Sequence, residues 1–238
     1  MQAEQGLITA ARSDDENLVA ELLAAGADPN TRQGDGSTAL HWAAHRNNGE
    51  AAQFLLGSGA NPDASNELGA TPLWLAASNG SVAMVEKLLT AGANPNARLR
   101  MGETSLMSAS RTGDLDTVSL LINAGAEIDA AEEERGQTAL MWAVAQSHRA
   151  VASMLLEHGA DLNARSKVWY QLENTAGNTN PSGNYRMAHG GSSAIMFASR
   201  VGDIDTAETL LDAGANVNDT AASGVSALTQ AAHSGHEE

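Results

Sequence analysis

Residues 69–77 read Gly-Ala-Thr-Pro-Leu-Trp-Leu-Ala-Ala, and residues 36–44 read Gly-Ser-Thr-Ala-Leu-His-Trp-Ala-Ala. Both stretches contain a hydroxyl residue followed two positions later by an aliphatic one, and this marker recurs along the chain. These hydroxyl residues are Thr38, Thr71, Thr104, Thr138, Ser193 and Ser226, at intervals of 33, 33, 34, 55 and 33. A helix-ending Gly-Ala pair recurs at Gly26, Gly59, Gly92, Gly125, Gly159 and Gly214, at intervals of 33, 33, 33, 34 and 55. Two independent markers with one period indicate an internal repeat.

Each repeat predicts two short helices joined by a turn. In the repeat that starts near residue 67, Thr71 can cap the first helix, and Pro72 fits its first turn because a missing N–H costs nothing there. Small alanines let this helix lie close to its neighbours, whereas the second helix, around residues 84–89, carries larger apolar side chains. Gly92 is expected to end it, because glycine readily takes the left-handed conformation.

This pattern resembles the ankyrin repeat, a unit of about 33 residues that runs Gly-x-Thr-Pro-Leu-His-x-Ala-Ala. The resemblance covers nearly the whole chain, with departures such as Ser105 for the proline and Met107 for the histidine. One such unit cannot bury its own apolar face, so neighbouring units stack. The resemblance therefore implies an all-α fold, an ankyrin-repeat solenoid of stacked helix–turn–helix units with β-turn fingers.

The period predicts the repeat boundaries within a single domain of residues 1–238. The repeats span about 4–33 as an N-terminal cap, 34–66, 67–99, 100–132, 133–166, 190–220 and a partial unit at 221–238. The partial unit has one helix where two are expected. We therefore expect that the native chain continues with further repeats, or that another chain covers this end, for example through end-to-end self-association.

The one long interval between markers, from Thr138 to Ser193, indicates an inserted loop at 167–189 between two repeats. The loop is rich in Asn and Gly, yet it contains Trp169, Tyr170 and Tyr185, three of the eight aromatic residues of the chain. Loops of this length are usually functional or disordered, and disordered segments are poor in aromatic residues. Two interpretations stay open: an ordered binding loop, or a structural flap whose aromatic rings cover the groove or each other.

Composition narrows the classes of partner. The chain has 13 Lys and Arg against 29 Asp and Glu, a net charge of −16, which disfavours nucleic acid and anionic membranes as partners. No apolar run reaches the ~18 residues of a membrane-spanning helix, so membrane insertion is not expected. The absence of cysteine excludes disulfides, thiolate metal sites and a cysteine nucleophile. The start of the chain has no leader pattern, which fits either a cytoplasmic protein or an exported one whose signal peptide was removed.

No motif for catalysis or a cofactor is present, so we expect no enzyme activity, cofactor or metal site. His41 and His45 are four residues apart on one predicted helix, but no carboxylate completes a zinc site, and the resemblance implies turn hydrogen bonds for His41. Glu132, Glu133 and Glu134, with acidic residues near other fingers, form either an acidic edge that selects a basic partner or an ordinary solvated surface. Trp42, Trp142 and Phe197 share one repeat position, where packing between units is favoured over a ligand groove.

The resemblance implies a protein–protein interaction scaffold that binds another protein through its concave face, fingers and inserted loop. That partner is basic if the acidic edge takes part in the contact. Arginine and aromatic side chains are common anchors of such interfaces. The residues expected to contact the partner are Arg46, Leu68, Trp74, Met101, Arg111, Arg135, Trp169, Tyr170, Tyr185 and Arg200. The alternative is a small-ligand or catalytic module in which the loop closes over the groove as a lid.

Overall fold

The computed structural model describes residues 2–174 and 184–235, with side chains over 6–173 and 186–235. These residues form 13 α-helices and one β-hairpin. The elements are α1 (Gln2–Arg12), α2 (Glu16–Ala24), α3 (Ala39–Arg46), α4 (Gly49–Gly57), α5 (Pro72–Ser78), α6 (Val82–Thr90), α7 (Ser105–Thr112), α8 (Leu115–Asn123), α9 (Ala139–Ala145), α10 (Arg149–Glu157), β1 (Val168–Asn174), β2 (Asn184–Gly190), α11 (Ala194–Val201), α12 (Ile204–Asp212) and α13 (Ala227–His233). The predicted all-α class is thus approximately right, and the structure adds one hairpin, which occupies the predicted loop.

The chain divides into two compact units, residues 1–127 and 128–238. In unit 1 the first helices of successive pairs (α1, α3, α5 and α7) pack in one row, and the second helices (α2, α4, α6 and α8) pack in another. In unit 2 the rows consist of α9, α11 and α13 and of α10 and α12. In both units the two helices of a pair also contact each other, so each helix from α1 to α12 contacts at least two others.

Side chains at the helix ends explain why the helices begin where they do. The Thr71 hydroxyl accepts a hydrogen bond from the Trp74 N–H, which satisfies one free donor of the first turn of α5. Pro72 is the first residue of that helix, as predicted. Asp114 plays the same role for α8, because its carboxylate accepts from the Thr117 N–H and lies at the positive end of the helix dipole.

The core repeats with the same period as the sequence markers. One leucine of each second helix from α4 to α12 is fully buried, namely Leu55, Leu88, Leu121, Leu155 and Leu210, and α2 buries Val19. The first helices bury an aliphatic residue and alanines against this row. Of the aromatic residues that share one repeat position, Phe197 is buried, whereas Trp42 and Trp142 are half-buried. The first helices therefore contribute more of the buried apolar side chains than the second helices do.

His41 makes the turn hydrogen bonds that the resemblance implies, which confirms that prediction. Its Nδ1 accepts from the Thr38 N–H at 3.1 Å, so in the neutral ring the proton lies on Nε2. Nε2 lies 3.0 Å from the Ala70 carbonyl oxygen, to which it can donate. The imidazole thus links the start of α3 to the turn of the following repeat while it is buried and uncharged.

The buried imidazole predicts a loss of stability in mild acid. Burial lowers the pKa of His41 below its usual value, although the hydrogen bond to Ala70 acts in the opposite direction. The unfolded chain therefore takes up a proton at higher pH than the folded one, and the free energy of unfolding falls as the pH drops through about 6.5. The change His41→Met places here the residue found at the equivalent buried positions Met107 and Met141.

We expect His41→Met to show a smaller loss of stability between about pH 7.5 and about pH 5.5 than the unchanged protein. Urea denaturation at both pH values measures the two differences. The two proteins differ at one residue only, so the contributions of all other residues cancel in the comparison. Equal losses in the two proteins would contradict the assigned role of the ring.

Candidate functional site

The inserted segment forms a regular antiparallel hairpin that grows out of the turn between two repeats. Val168 of β1 pairs with Gly190 of β2, and the register continues to the Asn174–Asn184 pair. At its base, the Gly191 N–H donates to the Ser166 carbonyl at 3.1 Å. The described parts of the expected insertion are therefore paired strands, while residues 175–183 lie outside the described residues. The choice between a binding loop and a structural flap stays a prediction.

One face of the hairpin is apolar and exposed. Because side chains alternate along a strand, Val168, Tyr170 and Leu172 point to the same side. They are 49%, 56% and 69% exposed. The guanidinium of Arg186, which pairs with Leu172, lies 4.5 Å from the centre of the Tyr170 ring. We call Val168, Tyr170 and Leu172 the apolar face.

The opposite face of the hairpin carries a ring stack. Trp169 and His189 are directly paired across the strands, and their ring centres lie 4.4 Å apart with an angle of 17° between the planes. The Nε2 atom of His189 lies 2.8 Å from Oε1 of Glu173, which is on the same face. The stack orients the Trp169 ring, yet leaves the side chain 43% exposed.

This second face borders a cavity of about 460 Å³ within unit 2. Its wall is built from the hairpin base, the turn around residues 135–137, helix α11 and the segment that leads into α13. The lining side chains include Arg135, Gln137, Lys167, Trp169, His189, Ser192, Phe197, Arg200, Thr229 and His233. We call this space the hairpin cavity.

Positive charge is concentrated in the hairpin cavity. Arg135, Lys167 and Arg200 line it, and among the residues that the structure describes no Asp or Glu does. The guanidinium carbon of Arg200 lies 4.6 Å from the centre of the Phe197 ring, in the geometry of a cation–π contact. Burial, together with the positive charge of Arg135, lowers the pKa of Arg200 from its usual value. Arg135 and Arg200 are thus two like charges that line the same cavity.

The carboxylates near the hairpin cavity are engaged elsewhere. Asp219 is buried and accepts hydrogen bonds from Arg165 and from the Ser193 hydroxyl. Burial acts to raise the pKa of Asp219, but these hydrogen bonds outweigh it and hold the pKa below its usual value. The Lys167 ammonium group donates a hydrogen bond to the backbone carbonyl oxygen of Glu133, and not to a carboxylate. Asp219 is thus an ionised structural group of the turn and is already paired.

The prediction of an exposed acidic edge at residues 132–134 is wrong for its first residue, Glu132. Glu132 is buried, and its carboxylate accepts from the backbone N–H groups of Glu134, Arg135 and Gln137 at 2.7–2.9 Å. A carboxylate with this many donors shapes the turn from inside and does not face a partner. Glu133 and Glu134 remain exposed.

The structure brings three of the predicted partner-binding residues, Arg135, Trp169 and Arg200, together at the hairpin cavity. Tyr170 lies on the apolar face of the same hairpin. Tyr185 belongs to β2, but its side chain lies outside the described residues.

The other five predicted residues belong to unit 1. Leu68 and Met101 are exposed at the tips of two successive turns, and Arg46 and Arg111 are exposed at the C-terminal ends of α3 and α7, while Trp74 is half-buried. Arg111 lies 4.0 Å from Glu103. They form part of the surface of their own repeats, and their role in binding stays a prediction.

Sequence reasoning missed Lys167, Leu172 and Arg186 as parts of the site. The alternation of apolar and polar residues from Val168 to Glu173 is a strand signal that could have placed Leu172 beside Tyr170. The position of Lys167 in the cavity depends on its hydrogen bonds to the carbonyl groups of Arg135 and Glu133 in the preceding turn, which no local pattern specifies.

The described residues contain no group of three His, Asp or Glu side chains placed to hold a metal ion. Within the same part of the chain, no helix has both the length and the apolar character that crossing a membrane requires.

Comparison with known families identifies the repeats. A model of ankyrin repeats, built from three copies, matches residues 7–99 and again residues 84–166. A model of the single ankyrin repeat matches residues 190–222. The matches stop before the hairpin and resume at its last residue. No curated protein matches the chain.

Proposed function

The chain belongs to the ankyrin-repeat family, and on this premise we propose that it is a protein-interaction module whose partner binds around the hairpin of unit 2. Ankyrin repeats are generally protein–protein interaction modules. The observation that carries the proposal is the apolar face, three large side chains in a row that the described part of the chain leaves exposed. The stacked repeats, with the boundaries predicted from the period, act as the scaffold that holds the hairpin in position.

The apolar face is suited to an interface in both area and rigidity. Burial of a large apolar side chain is worth about 1.5–3 kcal/mol, so three adjacent ones can provide a central anchor. The paired strands fix their backbone, and the Arg186 guanidinium beside the Tyr170 ring restricts that side chain further. Less conformational freedom is then lost on binding than with an unpaired loop.

In unit 1, Leu68 and Met101 form a second area that we expect to contact a partner. Their backbones are neighbours, because the Arg100 N–H donates to the Leu68 carbonyl at 2.9 Å. Both side chains are exposed at turn tips. Exposed apolar residues on successive turns form a second contact area for a partner that engages the turns, with Arg46, Trp74 and Arg111 on the neighbouring helices.

Loss of the apolar face should weaken partner binding without unfolding the protein. We expect the double change Tyr170→Thr and Leu172→Thr, which keeps residues of good strand propensity, to raise Kd by about tenfold or more. The partner is captured from the native organism with the full chain, purified, and titrated by calorimetry against each variant.

The matched control is Ile204→Ala with Leu211→Ala, two exposed apolar residues of α12 in the same unit. The control should bind like the unchanged protein. An unchanged Kd for the hairpin variant, or an equal loss in the control, would refute the assignment of the interface.

A further inference from the structure

We propose that the hairpin cavity binds carboxylate groups of an acidic segment of the partner protein. The inference rests on the proposed function and specifies the chemistry of the partner at one site. It replaces, for this cavity, the predicted basic partner with an acidic one.

The first argument is charge. The chain carries a net charge of −16, yet the described residues that line the hairpin cavity include Arg135, Lys167 and Arg200 and no carboxylate side chain. None of the salt bridges formed among residues 6–173 and 186–235 involves these three cations. Two like-charged guanidinium groups in one concave site are stabilised when an anion lies between them.

The second argument is the geometry of the donors. The contact of the Arg200 guanidinium with the Phe197 ring, 4.6 Å from the guanidinium carbon to the ring centre, holds that side chain at the wall of the cavity. A planar guanidinium donates two parallel hydrogen bonds to a carboxylate, which is the strongest type of polar contact available here. Gln137, Ser192 and Thr229 add neutral polar groups to the lining, so the remaining lone pairs of a bound carboxylate have donors within the cavity.

The third argument is the mixed character of the wall. Trp169 contributes a half-exposed aromatic ring next to the cations, held in place by its stack on His189. A segment that alternates acidic and apolar residues can place carboxylates near the arginines and an apolar side chain on this ring. The cavity of about 460 Å³ lies within the ~300–1,000 Å³ of typical ligand sites, and it suits a few side chains of a peptide.

The size of the positive region also selects against a nucleic acid. At physiological salt, charges interact over only about 8 Å, so a short acidic segment responds to the cations of the cavity alone. A nucleic acid carries charged phosphates over a much greater length, and the net charge of −16 on the chain repels them.

Fluorescence anisotropy with synthetic peptides tests the proposal on the full chain. The probe is the labelled peptide Gly-Ser-Asp-Glu-Leu-Asp-Glu-Ser-Gly, and its matched neutral form is Gly-Ser-Asn-Gln-Leu-Asn-Gln-Ser-Gly. We expect the acidic peptide to bind about tenfold or more tightly than the neutral one, and its affinity to fall as sodium chloride is raised.

Two single changes, Arg135→Gln and Arg200→Gln, should each weaken the acidic peptide by about tenfold and leave the neutral peptide unaffected. The control Arg149→Gln removes one exposed arginine of the same unit, whose guanidinium lies near Thr209 and Asp205 outside the cavity. It should leave both affinities unchanged. Circular dichroism of each variant verifies that the fold is retained, and the use of two positions keeps the test valid if one variant fails to fold.

Three results would overturn the proposal. They are equal binding of the acidic and neutral peptides, unchanged binding in both cavity variants, and displacement of the peptide by inorganic phosphate at similar concentration, which would identify a site for small anions. A partner that depends on the apolar face while the acidic peptide does not bind would leave the proposed function intact and refute only this inference.

Discussion

Replacing Leu88 with alanine should lower the free energy of unfolding by about 2–5 kcal/mol. Leu88 has no exposed surface and lies on α6, a helix that contacts both α4 and α8 in the second row of unit 1. Its loss removes apolar contacts in the middle of the row and leaves a cavity that rigid neighbouring helices can fill only in part. Urea denaturation with a constant slope and a shifted midpoint is the expected observation.

The control for this prediction is Glu86→Ala, on the same helix but exposed. Its effect should stay within about 0.5 kcal/mol, because no buried contact is lost and alanine favours a helix. Similar midpoint shifts for both variants would show that the assigned inner and outer faces of α6 are wrong.

Replacing Gly190 with alanine should lower the free energy of unfolding by about 2–4 kcal/mol, since it combines two penalties. Gly190 has φ +75°, a conformation that costs an L-residue energy, and a Cβ atom at this position would lie 2.0 Å from the Lys167 carbonyl oxygen. That oxygen belongs to the backbone at the base of the hairpin, so the chain itself has to move. The first pair of the hairpin, Val168 with Gly190, should open as a result.

Gly159→Ala separates the two penalties. Gly159 also has a positive φ of +89°, but a Cβ atom there would meet nothing within 4 Å. We expect a loss of about 1 kcal/mol from the backbone conformation alone. Thermal and urea denaturation of both variants measure the difference, and equal losses would mean that the approach to Lys167 is not a constraint on the fold.

The repeat could be predicted from the sequence because its determinants are local. Thr71 caps the helix that follows it, and Pro72 occupies the first turn of the same helix, so a few adjacent residues specify the element. The buried leucines could also be predicted, because neighbouring helices can cover only one face of each second helix. Because the marker recurs with a nearly constant period, the same prediction of two helices applies to each repeat.

The site could be predicted only in part because its determinants are not local. Arg135 and Arg200 were expected to contact a partner, but their meeting in one cavity depends on the packing of separate repeats. Glu132 looks like a solvated carboxylate in a run of three, and only the turn geometry turns it inward toward backbone N–H groups. Pairing across the hairpin likewise joins positions that are far apart in the chain, such as Trp169 and His189, which the alternation within one strand does not specify.

The backbone bonds between successive turns have a consequence for folding kinetics. The N–H groups of residues 67, 100, 167 and 222 each donate to a carbonyl of the preceding turn, at residues 35, 68, 135 and 190 in that order. Contacts therefore keep a nearly constant sequence separation however many repeats follow one another, and relative contact order falls as the chain lengthens. Two neighbouring repeats are enough to close one such bond, so folding can start at more than one pair of repeats and spread. The hairpin lengthens the chain between α9, which begins at Ala139, and α11, which begins at Ala194, and this longer closure should be the last and slowest joining step of unit 2.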